Sequence, residues 1–132
     1  PNALRPWQHV LEPVLGYLML AERLYEKKGL FADAWNFGPN DEDMKSVGWI
    51  VGQLCSHIPE ASWRNETKQQ LHEAVLLKLD NSKAKVDLGW SPRWSIETAL
   101  IKTVEWHQAW KEKEDLDRLT TMQIADFQGT HN

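Results

Sequence analysis

Apolar residues recur at helical spacing through Val14, Tyr17, Leu18, Ala21 and Tyr25, which fall on one stripe. Pro13 suits a first helical turn and Gly29 is placed to end the helix. Leu15, Met19 and Leu20 project off that stripe. A helix apolar on more than one side is buried on more than one side, so these three are expected to form an exposed patch awaiting a packing partner. A second helix is predicted through Val47, Ile50, Val51, Leu54, Cys55 and Ile58, with Ser46 as its cap and Pro59 as its stop. Asp80-Asn81-Ser82 caps a short helix that runs to Gly89. A further helix starts at Ser95, with Ile96, Ala99, Leu100, Thr103, Val104 and His107 on its inner face and Trp106 and Trp110 on its flank. The tail from Glu114 is mildly helical as far as Asp126.

Between these helices the pattern shortens. Ala34-Trp35-Asn36-Phe37 reads as a strand closed by the turn Gly38-Pro39-Asn40-Asp41. Ala61-Ser62-Trp63 is a weaker strand, followed by a polar loop to Gln70, and Leu76-Leu77-Lys78-Leu79 is another strand. Strands alternating with helices predict a small mixed α/β architecture rather than a bundle. Residues 1–112 are expected to form one domain, with 113–132 as a partly helical tail.

Composition narrows the function classes. The 132 residues suffice for a single domain, and 42% apolar with 26% charged residues is ordinary for a globular protein. A net charge of −4 argues against binding nucleic acid, which needs a basic excess. No apolar run approaches the roughly 20 residues of a membrane span. Cys55 is the single cysteine, which excludes an internal disulfide framework and leads us to expect a reducing, cytoplasmic setting. The chain opens at Pro1 without a signal-like stretch and reads as a piece of something longer. Its unusual feature is eight tryptophans.

The familiar catalytic signatures are missing. Glycines stand at 16, 29, 38, 48, 52, 89 and 129, a spacing that builds neither a dinucleotide fingerprint nor a P-loop. Tyr17 is followed four positions later by Ala21, and Tyr25 by Gly29, so neither has a lysine at that distance. His72-Glu73 begins like a zinc-protease helix, but Leu76 stands where the second histidine is needed, and no metal site is expected. Cys55 lies on an apolar helical face and reads as a small buried hydrophobe. Asn65-Glu66-Thr67 fits a glycosylation acceptor by chance. No catalytic residue is assigned.

One set of blocks is more specific. Asn2-Ala3-Leu4-Arg5-Pro6-Trp7-Gln8-His9-Val10-Leu11-Glu12-Pro13 resembles the opening of the substrate-binding part of CDP-glucose 4,6-dehydratases, which are extended short-chain dehydrogenase/reductases acting on nucleotide sugars. Ala34-Trp35-Asn36-Phe37-Gly38-Pro39 resembles the family's next block. His72-Glu73-Ala74, Leu77-Lys78-Leu79-Asp80 and Ser82-Lys83-Ala84 resemble the block after it. Leu88-Gly89-Trp90-Ser91-Pro92-Arg93-Trp94 and Thr103-Val104-Glu105-Trp106 are similar to its closing part. The blocks are collinear to about Trp110 and looser to Ile124.

The resemblance implies a C-terminal, substrate-binding portion of such an enzyme, inactive alone. The Rossmann core with its Tyr-x-x-x-Lys pair would lie upstream, and the chain itself would carry no cofactor. The family reaction uses NAD, held in the full-length enzyme, to oxidise the glucose 4-hydroxyl; water then leaves across C5 and C6 and hydride returns to C6. The substrate would be CDP-glucose. Relatives commonly dimerise through helices of the Rossmann core, so the resemblance allows a homo-oligomer of the full-length enzyme. Arg5 matches an arginine that grips the nucleotide diphosphate, a task suited to a planar charged fork. Asn36 matches an asparagine near the same phosphates. His72 and Glu73 stand where relatives contact the nucleotide ribose, although Val75 and Leu76 follow where several relatives place an arginine. Gln8 and His9 read as structural. Trp90, Trp94, Trp106 and Trp110 are spaced in fours and read as packing residues rather than sugar platforms. Two other readings fit the same residues: a free-standing tryptophan-rich carbohydrate- or protein-interaction module, and the same region of a different nucleotide-sugar dehydratase or epimerase.

Overall fold

The computed structural model describes residues 1–65 and 76–130. The chain begins with strand β1 (Leu4–Arg5) and continues into helix α1 (Leu11–Lys27), which tightens into a 3-10 turn over Lys28–Phe31. An acidic 3-10 turn, Asp41–Asp43, leads into β2 (Lys45–Ser46) and directly into α2 (Val47–His57). A π-helical turn at Ala84–Leu88 precedes the long helix α3 (Ile96–Glu112) and the final helix α4 (Leu116–Gly129).

Strands β1 and β2 pair antiparallel, Leu4 opposite Ser46 and Arg5 opposite Lys45. On its other side Leu4 forms a parallel bridge with Leu76, and the Leu77 amide donates to the Leu4 carbonyl at 3.2 Å. A helix-rich fold with a small sheet at one side is what the mixed α/β reading allows, but with less strand than predicted. Residues 34–37 and 61–63 are not strands. Trp35 turns its indole N–H back to the Phe31 carbonyl at 3.0 Å, and Gln8 Nε2 donates to the Phe37 carbonyl at 2.9 Å. The first of these segments is therefore held by side chains where a neighbouring strand would be needed.

Local signals set the helix ends. Ser46 Oγ accepts the Trp49 amide, Ser95 Oγ accepts the Thr98 amide, and Asp115 Oδ1 accepts the Arg118 amide. Each satisfies one of the orphan donors of a first turn. Asp80 Oδ1 accepts the Ser82 amide at 2.9 Å. Gly89 closes the π-helical turn at φ 73°, a left-handed conformation natural to glycine.

The core has two centres. Phe31, Phe37, Ala84, Leu88 and Trp90 form one, with Leu15, Met19, Leu20, Leu24 and Trp35 packed against them. Ile50, Ile96 and Ala99 form the other, with Trp7, Trp49, Leu54 and Leu100 around them. This reverses the expected orientation of α1. Leu15, Met19 and Leu20 face inward, while Val14, Tyr17, Leu18 and Tyr25 are exposed. Both sides of this helix are apolar, so periodicity alone could not say which side the core would take. The tryptophans divide in the same way: Trp90 and Trp94 are buried, Trp106 and Trp110 are exposed.

Candidate functional site

The segment from Leu4 to Gln8 acts as a hub. Arg5 is half-buried on β1 beside Lys45, and its Nη1 donates to the Leu4 carbonyl at 2.8 Å. The Trp7 indole N–H reaches the Lys45 carbonyl at 3.2 Å. Gln8 Nε2 holds Phe37, while Gln8 Oε1 is buried without a hydrogen-bond partner among the described residues. His9 is buried edge-on to Trp94, ring centroids 4.9 Å apart, and its Nδ1 accepts the Leu11 amide at 3.3 Å. Burial lowers its pKa. Both residues make contacts within the fold here, as a polar pair entering a helix suggested.

Residues 33–40 and 80–85 are sewn together, side chain to backbone. Asn36 Nδ2 donates to the Asp80 carbonyl at 3.3 Å. The buried Asn81 Nδ2 donates to the carbonyls of Gly38 at 2.7 Å and Pro39 at 3.2 Å. Lys83 Nζ bonds the Asp33 carboxylate and the Ala34 carbonyl, and lies 4.5 Å from the centroid of the Trp35 ring. Lys85 Nζ donates to Asn40 Oδ1 at 2.8 Å. The Lys83 ammonium holds the Asp33 pKa down, and hydrogen bonds from Ser82 hold that of Asp80 down.

Between these loops opens a polar cleft of about 770 Å³, walled by residues 39–42 on one side and by 78–82 with Lys85 on the other. Lys78 spans it to Asp41, Nζ to Oδ2 2.7 Å. The lysines at 78 and 85 are slightly outweighed by acids at 41, 42 and 80, so the cleft is mixed in charge with a small negative excess. Its amides, hydroxyl and paired charges suit a ligand rich in hydroxyl groups better than a bare polyanion. The Leu77–Leu4 hydrogen bond places β1, with Arg5, against the chain one residue before this wall begins at Lys78. A separate, more apolar cavity of about 320 Å³ lies between Gln8–Leu11, α3 and α4, with Trp106 and Gln123 in its lining.

The structure thus brings the Arg5 strand beside the segment that forms the cleft wall, and ties Asn36 to Asp80 in that wall. His72 and Glu73 lie outside the described residues. Sequence reasoning missed Asn81 and Lys83, which do most of the sewing; an Asx residue beside a helix start signals a cap but not a tie across 43 positions. Among the described residues no group of three or more His, Cys, Asp or Glu is placed to hold a metal, and no helix is long and apolar enough to cross a membrane.

No protein-family model matches the chain. Among curated proteins it is 45% identical over 128 residues, 96% of its length, to a CDP-glucose 4,6-dehydratase of Salmonella typhimurium. The chain resembles the CDP-glucose 4,6-dehydratases. The kinship expected from the ordered blocks is borne out, and it covers nearly every residue described above. A dTDP-glucose 4,6-dehydratase of Escherichia coli is 31% identical over 70% of the chain. The chain spans 36% of the length of the Salmonella CDP-glucose dehydratase and 29% of that of the E. coli enzyme.

Proposed function

We propose that this chain is the nucleotide-sugar-binding, C-terminal portion of a CDP-glucose 4,6-dehydratase-like enzyme of the extended short-chain dehydrogenase/reductase type, without activity of its own. The single observation that carries the reading is the 45% identity over 96% of the chain. The geometry supports it: the opening block on β1 meets the Leu77–Asp80 block, which is tied in turn to the Trp-Asn-Phe-Gly-Pro block, and a hydroxyl-friendly cleft lies between the latter two.

In this reading Arg5 grips the diphosphate, Asn36 supports the same end of the ligand, and His72 and Glu73 serve the ribose. Residues 1–112 form the binding domain and 113–132 its tail. NAD, bound elsewhere in the full-length enzyme, supplies the oxidation and the returning hydride. This chain does not fit that cofactor. Its glycines are too far apart for a phosphate-cradling turn, and no tyrosine is paired with a lysine four positions on. The role of these residues is to bind and orient the sugar nucleotide in a reducing, cytoplasmic setting. The E. coli relative supports a second reading in which the base is thymine and the reaction class is unchanged.

Thermal unfolding in the presence of CDP, CDP-glucose, dTDP-glucose and NAD tests the proposal. CDP-glucose should raise the midpoint, as any ligand of the native state does, and NAD should leave it unchanged. No shift with any nucleotide sugar, or a shift with NAD alone, overturns it.

A further inference from the structure

We infer that Lys45 is a second cation for the phosphates of a nucleotide sugar, set beside Arg5 on the same face of the small sheet; this rests on the reading of Arg5 proposed above. The pairing of β1 with β2 puts Arg5 directly opposite Lys45. Directly opposed residues of an antiparallel pair share one face, their Cβ atoms about 4.5–5.5 Å apart. Like charges so placed weaken a sheet. An anion seated between them turns that repulsion into charge-assisted contacts. Both residues are half-buried, which limits the relief that solvent can give.

The nearby acids do not neutralise Lys45. Among the described residues it forms no ion pair. Its Nζ donates to the Glu42 carbonyl at 2.9 Å and lies 5.3 Å from the centroid of the Trp49 ring. In the same acidic turn Asp41 is held by Lys78 at 2.7 Å, and the buried Asp43 accepts the Ile96 amide at 2.8 Å. An ammonium has three donors, so those not spent on Glu42 can serve a ligand. The backbone beneath is fixed. The Lys45 carbonyl accepts the Trp7 indole N–H at 3.2 Å, and the Val47 amide donates to the Ala3 carbonyl at 3.0 Å. The pair also has a defined place beside the polar cleft. Lys45 is bonded to Glu42 in one wall, and the strand carrying Arg5 is bonded to Leu77, next to the start of the other wall at Lys78. A ligand with its hydroxyls in the cleft can then turn its phosphates toward the sheet that carries both cations. The diphosphate bridge of a nucleotide sugar has one negative charge for each.

The test is calorimetric titration of the 132-residue chain with CDP and with cytidine, for the parent, Lys45→Gln, Lys45→Arg and Arg5→Ala. Lys45→Gln should weaken CDP at least roughly tenfold and leave cytidine barely affected, and Lys45→Arg should keep most of the CDP affinity. Lys45→Met, which retains the apolar stem, carries the comparison if Lys45→Gln has no cooperative thermal transition. Unchanged CDP binding in the neutral variant, with a loss in Arg5→Ala, overturns this inference and leaves the role of Arg5 standing. An equal penalty for CDP and cytidine also overturns it, because Lys45 then serves the fold alone. Unchanged CDP binding in both Arg5→Ala and the neutral variant, or no CDP binding by the parent, overturns both.

Discussion

Glu12 Oε1 accepts the backbone N–H of Trp94 at 2.9 Å, joining the first turn of α1 to a segment 82 positions further along the chain. Both carboxylate oxygens also accept the Arg93 amide at 3.1 Å, and the Glu12 carbonyl takes the Trp90 indole N–H at the same distance. Glu12 is fully buried. Burial raises its pKa, against the opposing pull of the Trp94 and Arg93 amides. The arrangement anchors the 90–94 segment to the first turn of α1.

Glu12→Ala strands the amides of Arg93 and Trp94. Each buried donor left unpaired costs about 1–3 kcal/mol, so a loss of about 2–6 kcal/mol is expected in urea unfolding. Glu12→Gln keeps one acceptor oxygen and should lose less. Stability within about 0.5 kcal/mol of the parent for Glu12→Ala would remove the structural role assigned to this carboxylate.

His9 and Glu12 respond to pH in opposite directions. The His9 pKa is depressed in the folded chain below its ordinary 6.5, so its contribution is present above that value and lost as pH falls. The Glu12 pKa is raised above its ordinary 4.5, so its contribution is full below that value and lost as pH rises through the folded pKa. Stability measured from about pH 7.5 down to about pH 5.5 should therefore decline through His9, and His9→Gln should flatten that step. A profile unchanged by His9→Gln would show that this ring is not the titrating group.

Gly16→Ala should destabilise the chain although alanine is the better helix former. A Cβ built there would lie 2.5 Å from Phe37 Cε1 and 2.7 Å from Cγ, and the Phe37 ring is itself packed edge-on to Trp90 at 5.1 Å. Overpacking of this kind costs about 1–3 kcal/mol, against about 1 kcal/mol returned by helix propensity. A thermal midpoint above that of the parent would mean that the ring yields freely.

Helix ends and interiors were legible to different degrees. Ser46, Pro59, Ser95 and Gly89 announced their boundaries because capping is local chemistry, readable within a few positions. The inward face of α1 was not readable, since Leu15, Met19 and Leu20 compete with Val14, Tyr17 and Leu18 and only tertiary partners decide. The 34–37 strand was misread because Trp35 and Phe37 have strand-like composition yet spend their contacts on Phe31, Tyr17 and Trp90. Of the site, the blocks containing Arg5 and Asn36 were visible as motifs. The ties made by Asn81 and Lys83 join residues 42 to 50 positions apart, which no local pattern records.

Arg5 and Asn81 can be separated by their ligands. Arg5→Ala should weaken CDP binding by removing a charge-assisted contact of about 1.5–3 kcal/mol, a fall of roughly 10- to 150-fold, while free cytidine is barely affected. Arg5→Lys should recover part of the loss, keeping the charge without the fork. Asn81→Ala should instead lower stability by about 1–3 kcal/mol through the Gly38 and Pro39 carbonyls, and weaken both ligands alike by loosening the cleft. Calorimetric titration of the full-length enzyme with CDP and cytidine decides this; an equal penalty for the two ligands in Arg5→Ala would remove Arg5 from the diphosphate.

The tie between Glu12 and Trp94 also bears on the order in which the chain folds. Part of the first core centre is local, α1 against the 28–31 turn and Phe37, and part joins α1 to Trp90, while α3 and α4 are sequence neighbours that pair locally. Closing a long loop before its contacts form costs entropy that short-range pairing avoids. Helix α1 with the 28–31 turn, and the α3–α4 pair, should therefore gather early as two local units, joined only when the 90–94 segment docks on α1. Until that docking the inner face of α1 lacks Trp90 and is only partly covered, which makes the chain most prone to clump before the Glu12 carboxylate finds its amides.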